Sequence, residues 1–220
     1  MPLTLYFHPL SSYCHKVLIA LYELDIEFEK RLINLGNEAD HAELQALWPL
    51  CKFPVIRDHD QQRNVAESSV IIEYLDHRQA GYPRLITEDW KAALEVRLWD
   101  RFFDLHVQGP MQKIVGDRIS AANGDLSRER AALTTAYGML EQQLAADSWA
   151  AGTTFSMADC AAAPALFYAS TLVPFADEHR HLSAYFERLI QRPSVKRVIE
   201  EAKPYFSMYP FVEAIASRFR

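Results

Sequence analysis

The chain's densest chemistry lies in the run Tyr6-Phe7-His8-Pro9-Leu10-Ser11-Ser12-Tyr13-Cys14-His15-Lys16-Val17. An apolar strand, Leu3 to Phe7, passes through a proline turn into a helix whose first turn carries Ser-Ser-Tyr-Cys. Small hydroxyls and a thiol then stand at a helix N-terminus, where free backbone N–H groups and the positive end of the dipole favour an anion. The spacing is that of a Cys-x-x-Cys redox site with Ser11 in place of the first cysteine. Serine forms no disulfide, but it donates a hydrogen bond to a thiolate carried by another molecule. Ser11 is the candidate catalytic residue, with Ser12 as runner-up because the loop register rests on one sequence. Cys14 keeps the resolving position without a partner and reads as a structural thiol.

Further on, Phe53-Pro54 opens a strand. A cis bond there would turn the Phe53 backbone toward an extended peptide, although an ordinary trans proline explains the pair equally well in isolation. Glu67-Ser68 stands where a strand gives way to a helix. The Ser68 hydroxyl and first-turn amides suit a carboxylate and Glu67 suits an ammonium, the two charges of a free α-amino acid group. Helix capping is the plainer explanation of the same pair. Lys52 is placed to meet a second carboxylate, or is a solvated surface lysine.

Two kinds of architecture must position these groups. In the first 80 residues, Leu3–Phe7, Ile26–Asn34, Phe53–Asp58 and a short run from Val65 read as strands. Ser12–Leu24 and Ser68–His77 read as helices, the latter with Val70, Ile71, Tyr74 and Leu75 inward, and Asn37–Trp48 is a polar helical or irregular segment. The order is βαβ followed by ββα, which implies a parallel pair. Gly81-Tyr82-Pro83 breaks the pattern, and from Asp89 the chain is helical. A helix over Asp89–Val107 carries an apolar stripe of Ala93, Val96, Leu98, Trp99, Phe102, Phe103 and Val107. Ser127–Ala146 follows with Ser127 as N-cap, then Met157–Ala169, apolar all round, Leu182–Arg192 and Val195–Ala202. Ser156 and Asp159 are spaced as a capping box before the Met157 helix. The expected fold is an α/β N-terminal domain over 1–80 and an all-α C-terminal domain over 89–220.

Composition excludes several classes. Of 220 residues half are hydrophobic and the net charge is −6, without the basic run a nucleic-acid groove needs. No apolar stretch approaches the roughly 20 residues that span a bilayer. The 3 scattered cysteines form no disulfide framework, no paired metal-ligand motif appears, and no secretion signal is evident. Localisation in a reducing cytoplasm, no metal, no nucleic acid and no membrane are the expectations.

Together these features describe a site for a small acidic peptide bearing a thiol, and the chain resembles the cytosolic glutathione transferases over its whole length. The resemblance rests on Ser-Ser-Tyr-Cys at 11–14, Phe53-Pro54, Glu67-Ser68 followed by Val70-Ile71-Ile72-Glu73-Tyr74-Leu75, and Phe155-Ser156-Met157-Ala158-Asp159. It implies a thioredoxin-like N-terminal domain and an all-helical C-terminal domain. Ser11 falls on the serine of the serine-type classes. Phe53 precedes the family's cis-proline, whose backbone holds the cysteinyl unit of glutathione. Glu67 and Ser68 match the pair that receives the γ-glutamyl group, and Lys52 a residue near the glycine carboxylate. Tyr6 is offset by one residue from the tyrosine of tyrosine-type members, which sends its side chain to the opposite face. The resemblance also implies a homodimer, in which Asp100 or Asp104 would reach the partner's γ-glutamyl ammonium.

The implied activity is attack of the glutathione thiolate on a small hydrophobic electrophile held between the two domains. Leu10, Phe103, Val107 and Met111 are its expected walls, with Pro9, His106 and the C-terminal Tyr205–Tyr209 as further candidates. Holding a thiol of reference pKa about 8.5 mostly ionised at neutral pH requires about 2.7 kcal/mol. A hydrogen bond to a charged group supplies about 1.5–3 kcal/mol and a helix N-terminus about 0.3–1 more. No base is required. Glutathione-dependent isomerase (zeta-like) and peroxidase activities remain as alternatives, as does a non-catalytic glutathione-binding or regulatory role.

Overall fold

The computed structural model describes residues 2–79 and 84–220, so the expected break at Gly81-Tyr82-Pro83 lies outside the described residues. β1 (Leu3–Phe7), α1 (Ser12–Glu23) and β2 (Glu29–Leu32) form the expected βαβ unit, with β1 and β2 parallel. α2 (Glu38–Leu47) follows, begun by the Asn37 side chain, which accepts the Asp40 amide. β3 (Val55–Asp58) lies antiparallel to β1 and β4 (Arg63–Ala66) antiparallel to β3, giving the order β2-β1-β3-β4. α3 (Ser68–Arg78) closes this part.

β1 is an interior strand and is buried at nearly every position, as a strand covered on both faces must be. α1 buries more than one stripe because it is gripped by α3 and also by helices of the second part. Those helices are α4 (Trp90–Phe102), α5 (Gly109–Ser120), α6 (Ser127–Gln143), α7 (Met157–Ala169), α8 (Arg180–Gln191) and α9 (Pro193–Ala202). α7 is buried at every position and packs on α1, α4, α5 and α8. Ser156 begins it: its amide and hydroxyl both donate to Asp159 Oδ2, at 2.8 and 3.0 Å.

Four expectations change. The helix from residue 90 does not stop at Val107; it widens into a π-helical segment, Phe103–Gln108, and continues as α5, with Pro110 in the turn that follows the widening. α6 begins at Ser127, but its cap is Leu126, and the Ser127 amide is instead received by Asp125 Oδ1 at 2.9 Å. Val70 and Leu98, expected inward, are 54% and 56% exposed. Both helices are apolar on a second face, and periodicity alone does not say which face meets the core.

Candidate functional site

Ser11 is the N-cap of α1, with extended backbone (φ −77°, ψ 116°). Its Oγ accepts the Cys14 amide at 3.3 Å, which occupies a lone pair and leaves the hydroxyl proton free to be given away. The turn before it is braced from both sides. The Leu10 amide donates to His8 Nδ1 at 3.2 Å, and the buried His15 ring donates through Nε2 to the Pro9 carbonyl at 2.6 Å. Ser12 is buried and accepts the Gln112 side-chain amide at 3.2 Å, so it ties α1 to α5. Cys14 is completely buried, and burial pushes its thiol up to about 12, which rules it out as a thiolate nucleophile near neutral pH.

Two cavities meet at Phe53. One, of about 330 Å³, is mostly apolar and is bordered by His8, Leu10, Ser11, Ser12, Phe53, Met111 and Tyr168 among others. Its neighbour, of about 270 Å³, is polar and is bordered by Lys52, Phe53, Pro54, Glu67 and Ser68, with Tyr13, Trp48, Arg101, Asp104 and Leu105 completing the wall. The Phe53-Pro54 bond is cis, and the Phe53 ring stacks on His8 at 5.7 Å. Glu67 stands before α3 at φ 67°, ψ 118°, a conformation that costs a side-chain-bearing residue about 1–3 kcal/mol and marks functional sites more often than others. No side chain caps α3, so its first amides remain available to an anion beside Ser68.

Beneath the polar cavity lies a buried charge cluster. Lys16 Nζ contacts Asp100 Oδ1 at 2.6 Å, Asp104 Oδ2 at 2.8 Å and Ser69 Oγ at 2.9 Å. Ser69 in turn donates to Asp100 Oδ2 at 2.6 Å, and Arg101 closes onto Asp104. Burial raises the Asp104 carboxyl above its usual range, and the Lys16 charge opposes that rise. Asp100 and Asp104 are thus engaged within their own chain.

Every expected glutathione-site residue borders one of these two cavities, as do Leu10 and Met111. Phe103 and Val107 do not. Both are wholly buried in the core, in the π-helical segment that packs on α7. The helix face lining the apolar cavity begins one turn later, with Met111, Val115 and Ile119 at i, i+4 and i+8 on α5.

A family model for the glutathione S-transferase N-terminal domain matches residues 10–78, and one for the C-terminal domain matches residues 122–193. The chain belongs to the glutathione S-transferase family. Glutathione S-transferase GstB of Escherichia coli K12 is 26% identical over 206 residues, covering 90% of this chain and 97% of the relative. A glutathione S-transferase-like protein, LUC7, of Fusarium is 29% identical over 191 residues, covering 83% and 86%. Among solved structures, an epsilon-class glutathione S-transferase of the housefly superposes with a TM-score of 0.86 at 20% identity, covering 96% of this chain and 97% of that one. One from Methylobacillus flagellatus, solved with glutathione bound, gives 0.76 at 24% identity, covering 89% and 98%.

In this glutathione S-transferase, sequence reasoning missed Tyr13, Trp48 and Arg101 at the polar cavity and His8, Gln112, Val115, Ile119 and Tyr168 at the apolar one. The α5 trio carried a signal, its four-residue repeat. The others are single residues brought in by separate elements, and nothing in their spacing announces them.

Proposed function

We propose that this glutathione S-transferase binds glutathione in the polar cavity, ionises its thiol at Ser11 and directs the thiolate at a small hydrophobic electrophile in the apolar cavity. On this reading residues 1–80 form the glutathione-binding domain and 89–220 the helical domain that completes the electrophile site. Glu67 takes the γ-glutamyl ammonium, and Ser68 with the free amides of α3 takes its carboxylate. The Phe53 backbone, turned by the cis bond to Pro54, pairs with the cysteinyl unit, and Lys52 meets the glycine carboxylate. Leu10 and Met111 hold the apolar group.

One observation carries the reading: Ser11, whose hydroxyl donates to no partner among the described residues, borders the apolar cavity, and that cavity shares Phe53 with the polar one. Cations at Lys52 and Arg101 and anions at Glu67 and Asp104 surround the polar cavity, which suits a zwitterionic peptide. Titration with reduced glutathione in buffers of different ionisation enthalpy tests it. Binding with close to one proton released at neutral pH supports the reading, and binding without proton release contradicts it.

A homodimer belongs to the same reading. Trp90, Leu94 and Leu98 of α4 and Leu105 just beyond it are 70%, 51%, 56% and 60% exposed at roughly helical spacing, and Val70 of α3 is exposed as well. Such a stripe is costly to leave in water and suits a second copy. Three free thiols, two of them buried, fit a reducing cytoplasm. Among the described residues no helix is long and apolar enough to cross a membrane, and no cluster of three or more His, Cys, Asp or Glu is arranged to hold a metal.

A further inference from the structure

Two imidazoles close on one peptide unit beside Ser11. His8, Pro9, Leu10 and Ser11 form a β-turn, closed by the Ser11 amide, which donates to the His8 carbonyl at 3.0 Å. The central peptide of this turn joins Pro9 to Leu10. Its carbonyl accepts the Nε2 proton of His15 at 2.6 Å, and its N–H donates to His8 Nδ1 at 3.2 Å. One flat unit is thus gripped at both ends, by a donor from α1 and by an acceptor from the residue that starts the turn.

Each ring is itself held. His15 is buried, its ring lies 5.6 Å from that of Tyr168 on α7, and its own amide donates to the Ser11 carbonyl at 2.9 Å. The His8 ring stacks on Phe53, the residue common to both cavities, at 5.7 Å with 16° between the planes. Burial pushes His15 down to about 4 and His8 below its ordinary value, so both rings are neutral at physiological pH. A neutral ring whose Nδ1 accepts a hydrogen bond carries its proton on Nε2. His8 therefore has no lone pair to spare for a thiol proton, which excludes it as a base.

The central peptide is the freest part of a β-turn, because rotating it converts one turn type into another while both ends stay in place. Pro9, at the second position, suits type I and type II alike. Leu10 keeps a negative φ and opposes the full flip to type II, which calls for a φ of about +80° there. Smaller rotations remain, and Ser11 is the next residue along the chain. We propose that His8 and His15 are positioning residues for thiolate formation, which grip the Pro9–Leu10 peptide and so aim the Ser11 hydroxyl at the glutathione sulfur. The inference rests on the glutathione chemistry proposed above and adds to it the groups that hold Ser11 in place. Misplacing a reacting group by about 1 Å can cost a hundredfold, so a turn left to rock would forfeit much of what the hydroxyl supplies.

Two variants of one residue test it. His8→Phe keeps a ring against Phe53 and removes the acceptor. His8→Asn removes the ring and keeps an acceptor, because an asparagine that starts a turn accepts the N–H two residues on. The thiolate absorbance of bound glutathione is titrated in wild type and in both variants. In His8→Phe the bound thiol should titrate about 1 pH unit higher, a tenfold loss, while the glutathione dissociation constant at pH 6 stays within about threefold. In His8→Asn it should return to within about 0.3 unit of wild type. An unchanged titration in His8→Phe overturns the inference. So does an equal rise in both variants, the result expected if His8 were a base or merely filled space. A further measurement needs no variant. Ring 15N spectra of the wild-type protein without glutathione should show His8 and His15 neutral at pH 7 with their protons on Nε2, and a proton on Nδ1 of either ring overturns the inference. Wild type that binds glutathione without forming thiolate would bring down the proposed function itself, whereas the ring spectra judge the grip on the turn separately.

Discussion

Lys16 Nζ, wholly buried on α1, lies 2.6 Å from Asp100 Oδ1 on α4. The pair joins the sheet-bearing part of the chain to the helical part directly under the polar cavity, whose wall includes Asp104, the second carboxylate on Lys16. A buried ion pair adds little over an apolar replacement of both partners, but removing one partner strands the other charge.

Lys16→Met should therefore lower unfolding stability by about 3–5 kcal/mol, measured by urea denaturation, because two buried carboxylates lose their buried cation and keep only the half-exposed Arg101. A loss under about 1 kcal/mol would show that water reaches Asp100 and Asp104 and that the cluster does not lock the two parts together.

Asp159 accepts four hydrogen bonds at the start of α7: Ala150 N at 2.9 Å, Tyr185 Oη at 2.6 Å, and Ser156 N and Oγ at 2.8 and 3.0 Å. Asp159→Asn turns one acceptor oxygen into an NH2 facing donors, so at least about 2 kcal/mol of stability should be lost. Since α7 packs on α1, the unfolding midpoint of the whole chain should move as one transition. A separate early transition of the helical part would contradict that coupling.

Glu141 of α6 receives the His181 and Leu182 amides at the start of α8, at 3.0 and 2.9 Å. Burial raises its carboxyl, but these two bonds outweigh that and hold it below the ordinary value of 4.5. A depressed folded-state value stabilises above the unfolded value and loses that contribution as pH falls through the folded one. The stability gap between wild type and Glu141→Gln should be constant above pH 5 and close as the pH drops below about 4.5. A gap that widens on acidification would contradict the assignment.

If α4 presents a dimer face, Leu98→Glu should shift the sedimentation coefficient from dimer to monomer and weaken association at least about tenfold, a charge having entered an apolar contact. Wild type that sediments as a monomer at micromolar concentration would remove the homodimer from the account.

How far the sequence could be read follows from what each signal encodes. The Met157–Ala169 helix is found with its expected bounds because Ser156 and Asp159 mark its start and an unbroken apolar run marks its length. Lys52, Phe53, Pro54, Glu67 and Ser68 come together because β3 and β4 form an antiparallel pair, so residues before β3 and after β4 must share one end of the sheet. Phe103 and Val107 were misplaced because a regular helical period, extended past Phe102, does not allow for the π-helical turn that resets the phase. Val70 and Leu98 were misplaced because an apolar face left exposed and one meeting the core are written in the same residues. Tyr168 reaches the border of the apolar cavity from α7, a tertiary placement that no pattern of neighbours in the sequence records.

The central claim is that Ser11 holds bound glutathione as a thiolate. Its most direct measurement is the ultraviolet absorbance of the thiolate, followed against pH in the binary complex of wild type and of Ser11→Ala. Wild type should ionise the thiol about 2 pH units below free glutathione, and Ser11→Ala should still bind glutathione but return most of the way to the free value. Identical titrations in the two proteins would contradict the account.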